Sequence, residues 1–352
     1  MYSVVRKLLF ALQPERAHHL TFAWLRGTGP LSRGVAKLRY GAPDARLALQ
    51  VGPLRFAGPV GLAAGLDKDG VLARYWPNLG FGAIELGTVT AHPQPGNPQP
   101  RLFRIPAHGA LVNRMGFNNG GSAKLAERLR GLDLGPTPVG INLGKSKITP
   151  LDEALDDYAT STARVKGLGD YLVINVSSPN TPGLRRLQDA DRLGQIIDAV
   201  KRASAGEPVF VKLSPDLSDE ALLELVQVAE AQEVAGLIAT NTTIDHMGLA
   251  DVGAGGLSGK PLAPRSLEVV RTLRAATSLP LIGVGGIASA SDVLAMLAAG
   301  AQAVQLYSGL IYGGPGLIHR INRDILAFLD RRGGGTLAEL IATPASTWWP
   351  DG

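Results

Sequence analysis

Apolar runs too short for helices alternate with longer amphipathic runs over most of the chain. From Pro59 onward the order is constant: a β-branched or aliphatic run, a loop rich in Gly and Asn, then a segment whose apolar residues recur at helical spacing. Strands are predicted at 60–63, 83–86, 139–143, 171–176, 209–213, 236–240, 281–284 and 303–306, and helices at 151–167, 189–203, 218–232, 264–276, 289–299 and 316–332. Eight such units predict an α/β fold, a closed parallel (β/α)8 TIM barrel. A doubly wound open sheet is the alternative. Gly283, Gly285 and Ala288 match its G-x-G-x-x-A fingerprint, but they follow the seventh strand and no acid stands about 20 residues on.

Two flanking regions break the pattern. Residues 3–12 and 16–26 each read as a short helix with one apolar side, separated by Pro14, which predicts an N-terminal helical hairpin. Residues 27–53, punctuated by Gly and Pro, read as a linker. The stretch 88–120 is a long Pro- and Gly-rich excursion after the second strand, read as a lid or part of the site. The chain thus divides into a helical head (1–40), a barrel (41–335) and a tail (336–352). In the tail, Trp348 and Trp349 either tuck against the barrel or touch a membrane.

Composition narrows the chemistry. With 45% hydrophobic and 18% charged residues, the chain holds a large core and is not disordered. It has no cysteine, which excludes disulfides, thiolate metal sites and Cys nucleophiles or bases. Its six histidines lack H-E-x-x-H spacing, so no metal is expected. The net charge of +5 is concentrated in the head, where seven Lys/Arg face one acid, Glu15. No nucleic-acid recognition motif accompanies that charge, and none is expected as partner. A basic, apolar-rich head suits an anionic lipid surface. Its longest uncharged stretch falls short of the ~20 residues that span a bilayer.

The strand ends carry the candidate chemistry, as barrel enzymes require. They read AAGLDKD (63–69), LGTVT (86–90), NLGKSK (142–147), NVSSPN (175–180), KLSPD (212–216), TNTT (240–243), GVGGI (283–287) and YSG (307–309). Ser178 stands between Asn175 and Asn180, one hydroxyl framed by two amides. An amide offers donor and acceptor together and pairs with the N–H/C=O edge of a cyclic imide. Gly285, Gly286, Tyr307 and Ser308 suggest a phosphate held by backbone N–H groups. Lys68 and Lys212 are costly to bury without an anionic partner. A nearby Asp is the plain partner for either; a reduced flavin or a substrate carboxylate is the functional one.

AAGLDKDG (63–70), NRMGFNN (113–119), NVSSPNTPGLR (175–185), VKLSPD (211–216), TNTT (240–243), GGLSGKPL (255–262) and GVGGI (283–287), in this order, closely resemble dihydroorotate dehydrogenase, from the head to about residue 328. The head motif PERAH (14–18) and the serine at 178 resemble the quinone-linked, membrane-associated class; the soluble class carries a cysteine at that place.

The resemblance implies oxidation of (S)-dihydroorotate to orotate in pyrimidine biosynthesis, with one FMN per chain and a membrane quinone as final acceptor. It makes Ser178 the general base, with Ser177 and Thr181 as hydroxyls through which its proton could pass. It places Lys68, Asn113, Arg114, Met115, Gly116, Phe117, Asn175, Asn180, Asn241 and Thr242 around the substrate. It places Ala64, Gly65, Leu66, Asp67, Lys68, Thr88, Asn142, Asn175, Lys212, Thr240, Gly259, Gly286, Tyr307 and Ser308 around FMN. His18, Arg104 and Tyr307 match the polar inner end of a quinone tunnel beneath the head. A monomer, held peripherally on the cytoplasmic side of the cell membrane, is the expected state. Two other readings compete: another FMN barrel oxidoreductase of the dihydrouridine synthase kind, which would use a cysteine acid that this chain lacks, and a non-catalytic flavin-binding membrane-surface module.

Overall fold

The computed structural model describes residues 2–181, 183–249 and 252–349. Pro182, within the loop motif 175–185, and the ends of the head and tail segments lie outside the described residues.

The head consists of α1 (Tyr2–Ala11) and α2 (Pro14–Tyr40). Gln13 caps α2 by accepting from the Arg16 N–H, and Pro14 occupies the first turn, where its missing N–H costs nothing. The helix runs on through 27–40, where a linker was expected. Gly29 adopts a φ of 23°, kinks the axis, and lets Pro30 open a new turn. Ser32 Oγ donates to Leu25 O and Gly29 O, covering carbonyls that the kink releases.

A small hairpin follows, β1 (Leu49–Val51) and β2 (Leu54–Phe56), and then the barrel. Its strands are β3 (Val60–Leu62), β4 (Ala83–Val89), β7 (Val139–Leu143), β8 (Tyr171–Asn175), β9 (Val209–Leu213), β10 (Gly236–Ala239), β12 (Leu281–Val284) and β13 (Ala303–Leu306). They close in the order β10-β12-β13-β3-β4-β7-β8-β9, all parallel. The eight predicted strands are all present. Outside pack α3 (Ser122–Leu129), α4 (Ala154–Val165), α5 (Ala190–Ala203), α6 (Asp219–Ala231), α7 (Ala263–Ala276), α8 (Ala290–Ala298) and α10 (Leu317–Arg331), with the short α9 (Ser308–Gly313) after β13. Ser218 and Ser289 cap α6 and α8 through their side chains, each cap worth about 1 kcal/mol.

The excursion at 88–120 is more ordered than a lid. It carries β5 (Leu102–Ile105) and β6 (Ala110–Asn113), which pair antiparallel with β11 (Gly256–Gly259) in the order β11-β6-β5. This sheet has a small core of its own, Ala110, Val112 and Leu257.

Inside the barrel the side chains stand in tiers. The lowest is apolar: Ala83, Tyr171, Val173, Phe210, Ile238, Ile282 and Ala303 pack against Val51, Leu54 and Phe56 of the β1–β2 hairpin, which plugs the amino end. Gly140 on β7 is required here, because any β-carbon there would stand 2.2 Å from Tyr171 Cζ, well inside van der Waals contact. In the tail, α11 (Leu337–Ile341) opens with a Thr336/Glu339 capping box. Trp348 tucks into the main core, and its carbonyl accepts from Arg332 Nη1 at 2.7 Å, whereas Trp349 stays partly exposed.

Candidate active site

Above the apolar tier lies a polar one. Glu85, Asn142, Lys212 and Gln305, each the one strongly polar residue of an otherwise apolar strand core, are all buried. Glu85 accepts from Asn142 Nδ2 at 2.7 Å and from Gln305 Nε2 at 2.6 Å, and Lys212 Nζ stands 3.7 Å from the same carboxylate. Removing Glu85 or Lys212 would strand a buried charge, and removing either amide would leave a buried carboxylate oxygen short of a donor. Lys212 therefore has a protein partner, but a glutamate from β4 and not a neighbouring Asp.

The next tier is made of amides and hydroxyls from the strand ends. Thr88 Oγ1 donates to Asn142 Oδ1 at 2.5 Å and accepts from Asn175 Nδ2 at 3.0 Å. Asn175 Oδ1 accepts from Ser177 Oγ at 2.9 Å and from Asn241 Nδ2 at 3.3 Å, and Asn241 Nδ2 also reaches Ser177 Oγ at 2.9 Å. One amide network thus joins β4, β7, β8 and the loop after β10.

Ser178 follows β8 and faces the cavity at 7% exposure. Its Oγ accepts the Asn180 N–H at 3.3 Å, and Asn180 Nδ2 donates to Asn113 Oδ1 at 3.1 Å. Ser177 Oγ is committed to Asn175 and Asn241, but among the described residues Thr181 Oγ1 and Thr242 Oγ1 are buried without a protein partner. Buried hydroxyls are rarely left unpaired, so these two are available to water or ligand.

Across the cavity, Lys68 Nζ donates to Gly65 O at 2.8 Å. Burial, reinforced by the Arg101 guanidinium and opposed by Asp69 and Glu15, lowers its pKa to about 8. Burial raises the Tyr307 phenol to about 12, so it stays protonated.

One cavity gathers Ala64, Gly65, Lys68, Thr88, Asn113, Met115, Gly116, Phe117, Asn175, Ser178, Asn180, Lys212, Thr240, Asn241, Thr242, Gly259, Gly286, Tyr307 and Ser308. Four expected residues do not line it. Asn142 lies beneath, bonded to Thr88 and Glu85. Leu66 is buried in the main core behind the wall. Asp67 turns away to accept from the Val71 and Leu72 N–H groups and Trp76 Nε1, fixing the loop that carries Lys68. Arg114 stacks over Phe103 and donates to Val252 O, so it braces the three-stranded sheet. Residues outside the expected set also matter. Glu85 and Gln305 form the floor, Asn97 bonds Asn180 O at 3.0 Å, and Ser258 bonds Ser308 at 2.8 Å. A lone carboxylate in the apolar run AIELGTV was the signal for Glu85.

At one end of the cavity the loops after β12 and β13 meet. Gly286 has a φ of 76°, open to glycine at little cost. Among the described residues, the N–H groups of Gly286, Ile287, Ser308 and Gly309 have no protein acceptor. This is a cradle suited to a phosphate. With the amide wall and the two lysines, it fits a planar, phosphorylated cofactor such as a flavin.

On the head side, His18 stacks on Phe22 at 4.1 Å and shares a second cavity with Leu66 and Lys68. Burial, with Lys68 and His19 nearby, lowers its pKa to about 3, so the ring is neutral. Arg104 Nη1 donates to Leu12 O at 2.9 Å, and its guanidinium lies 4.4 Å over the Phe10 ring, tying α1 to the sheet. Tyr307 lines the first cavity, His18 lines the second and Arg104 lines neither, so the three residues expected at the tunnel's inner end are not brought together in one cavity.

Fold and site together define a barrel oxidoreductase of the flavin-dependent kind. A family model described as dihydroorotate dehydrogenase matches residues 46–329. The chain is 49% identical over 355 residues to a dihydroorotate dehydrogenase (quinone) of Myxococcus xanthus, covering 97% of each chain. It is 54% identical over 300 residues to the Chloroflexus aurantiacus protein of the same name, covering 80% of this chain and 83% of that one. The crystal structure of a dihydroorotate dehydrogenase from Eimeria tenella in complex with ferulenol superposes with a TM-score of 0.86 at 34% identity, over 95% of this chain and 98% of that one. The chain belongs to the dihydroorotate dehydrogenase family. That family is flavin-dependent, and its quinone-linked members are membrane-associated in general.

Proposed function

We propose that the protein oxidises (S)-dihydroorotate to orotate in pyrimidine biosynthesis, with FMN as the immediate electron acceptor and a membrane quinone as the final one. The observation that carries this reading is the pairing of Ser178 with an amide wall on one side of the cavity and Lys68 on the other, in a chain of this family.

Bound FMN supplies the hydride acceptor for C6 of the substrate and the route for electrons to quinone. The residues do the rest. Gly259, Gly286, Tyr307 and Ser308 hold the phosphate end, and Ala64, Gly65, Thr88, Thr240 and Lys212 surround the ring system. Asn142, Leu66 and Asp67 support that site from behind. Asn113, Asn175, Asn180, Asn241 and Thr242 present donor and acceptor groups to the edge of the pyrimidine. Met115, Gly116 and Phe117 close the pocket, and Arg114 braces it. Lys68 meets the substrate carboxylate.

Ser178 Oγ removes the C5 proton. A hydroxyl is a weak base and needs an onward acceptor in a site that excludes water. Ser178 gives up its own hydroxyl proton as it takes that of C5. Thr181 serves better than Ser177 to pass this proton on to solvent, because among the described residues its hydroxyl has no protein partner while that of Ser177 holds Asn175.

The quinone headgroup passes beneath the head, meeting the neutral His18 and Tyr307 in separate cavities, while Arg104 holds α1 over that path. Among the described residues no helix is long and apolar enough to cross a membrane. The protein then sits peripherally on the cytoplasmic face of the cell membrane as a monomer, through its head.

The test is an anaerobic half-reaction. Dihydroorotate should bleach the FMN absorbance, and ubiquinone or menaquinone analogues should restore it where fumarate and NAD do not. A flavin that dihydroorotate leaves oxidised would reject the function, and preferential reoxidation by fumarate or NAD would reject the quinone.

A further inference from the structure

Glu15 has no place in the scheme above, yet it is the one charged residue of α1 and α2 that is buried. Its carboxylate takes three contacts from Arg101: Nη2 at 2.6 Å, and Nε at 3.1 Å to each oxygen. Gln99 Nε2 adds a fourth at 3.1 Å. Arg101 is itself buried and uses its remaining nitrogen on the loop before β5. Its Nη1 donates to Pro95 O at 2.5 Å and to Asn97 O at 2.8 Å. Asn97 then reaches the substrate side: its Nδ2 donates to Arg114 O and to Asn180 O, each at 3.0 Å, and its N–H to Met115 O at 3.0 Å. Asn180 completes the route with its N–H on Ser178 Oγ and its amide on Asn113.

An unbroken chain of hydrogen bonds therefore joins the first turn of the head helix to the hydroxyl that faces the substrate. A docked helix needs no buried charge to stay docked; apolar contacts serve as well, and replacing a buried ion pair by apolar groups is often neutral. A bidentate pair does something that apolar contacts do not: it fixes direction, because a guanidinium and a carboxylate meet in one plane. The Glu15–Arg101 pair fixes where the 95–101 loop lies, and Asn97 passes that placement to the Ser178 loop.

We infer that Glu15 and Arg101 are positioning residues for the dihydroorotate half-reaction, so that the head on which quinone docks also sets the geometry of the substrate pocket. This rests on the reading that Ser178 and the amide wall receive dihydroorotate.

The experiment uses the full-length, FMN-loaded protein and no quinone, and follows flavin bleaching by dihydroorotate in a stopped-flow instrument. Glu15→Gln keeps the shape and removes the charge. It should retain flavin and lower the reduction rate constant divided by the apparent dissociation constant about tenfold, because small misplacements of reacting groups are expensive. Asn97→Ala, which leaves the head's ion pair intact, should lose about as much. The double variant should be little worse than the poorer single variant, as expected of residues acting along one route. Should Glu15→Gln purify without flavin, Glu15→Asp takes its place, with an intermediate loss expected and the same non-additivity with Asn97→Ala.

Unchanged flavin reduction in Glu15→Gln, with only reoxidation by quinone impaired, would overturn the inference and leave Glu15 as an anchor of the head. Losses that multiply in the double variant would overturn it too. If dihydroorotate fails to bleach wild-type flavin, the fault lies with the proposed function and not with this coupling.

Discussion

At the carboxyl rim of the barrel, Thr88, Asn142, Asn175, Ser177 and Asn241 bond one another, and all but the half-buried Asn241 are shielded from solvent. Along the head, Leu8, Trp24, Leu31 and Leu38 stand 70%, 64%, 70% and 91% exposed. This amide network has spent its polar groups on itself, so the geometry it sets exists before any ligand arrives; this is how an active site holds reacting groups without reorganising them. The head has done the reverse. Each of its large apolar side chains would gain about 1.5–3 kcal/mol on full burial, and each Lys or Arg beside them about 1 kcal/mol at an anionic surface. One region is largely satisfied within the fold, and the other leaves apolar surface that burial would stabilise.

The sharpest test of the rim is Ser178→Ala. Flavin reduction by dihydroorotate should fall about 10²- to 10⁴-fold, the range for loss of a general base, with flavin content unchanged. A near-normal rate in rapid mixing would move the chemistry away from Ser178. Lys68→Met should come next, weakening apparent dihydroorotate binding about 10- to 100-fold, as expected for a lost charge-assisted hydrogen bond. Titrating the flavin with orotate would measure it.

The head is tested by placing Gln at Leu8, Trp24 and Leu31 together. Binding to anionic vesicles and turnover with a long-chain quinone should fall about tenfold, while bleaching by dihydroorotate stays near wild type. Equal loss of both activities would erase the contrast between the regions.

The smallest effect is in pH. Lys68 has its pKa lowered to about 8, so its charge is present below that value and lost above it. Apparent affinity for dihydroorotate should therefore decline above about pH 8 by a few-fold, while the limiting rate of flavin reduction climbs as the serine base is favoured. In Lys68→Met the decline in affinity should vanish. A flat affinity profile in the wild type would remove Lys68 from carboxylate binding.

The barrel and most of the rim are legible in the sequence because strands buried on both faces must be short and apolar, and their polar ends stand out. Asn175, Ser178 and Asn180 are visible for that reason. Glu85 and Gln305 are harder, since a single polar residue inside an apolar strand resembles tolerated noise until the barrel closes and brings them together. The three-stranded sheet was not readable as strands: β11 is glycine-rich, and its partner β6 lies more than a hundred residues earlier. The extension of α2 past Gly29 and Pro30 was hidden by two residues that normally stop a helix, and only the kink reconciles them. Asp67 and Arg114 lie inside motifs that line the site, yet their side chains turn outward to hold the loops. A motif locates a loop but does not tell which of its side chains face inward.

The hairpin of β1 and β2 carries one more implication. With Val51, Leu54 and Phe56 driven into the amino end, the barrel is a vessel with a sealed base. Anything that enters the barrel's cavity must come through the open rim. The sealed base is thus the natural place to attach a reporter dye or surface tether: the exposed Gln50 and Arg55 sit there, far from all traffic.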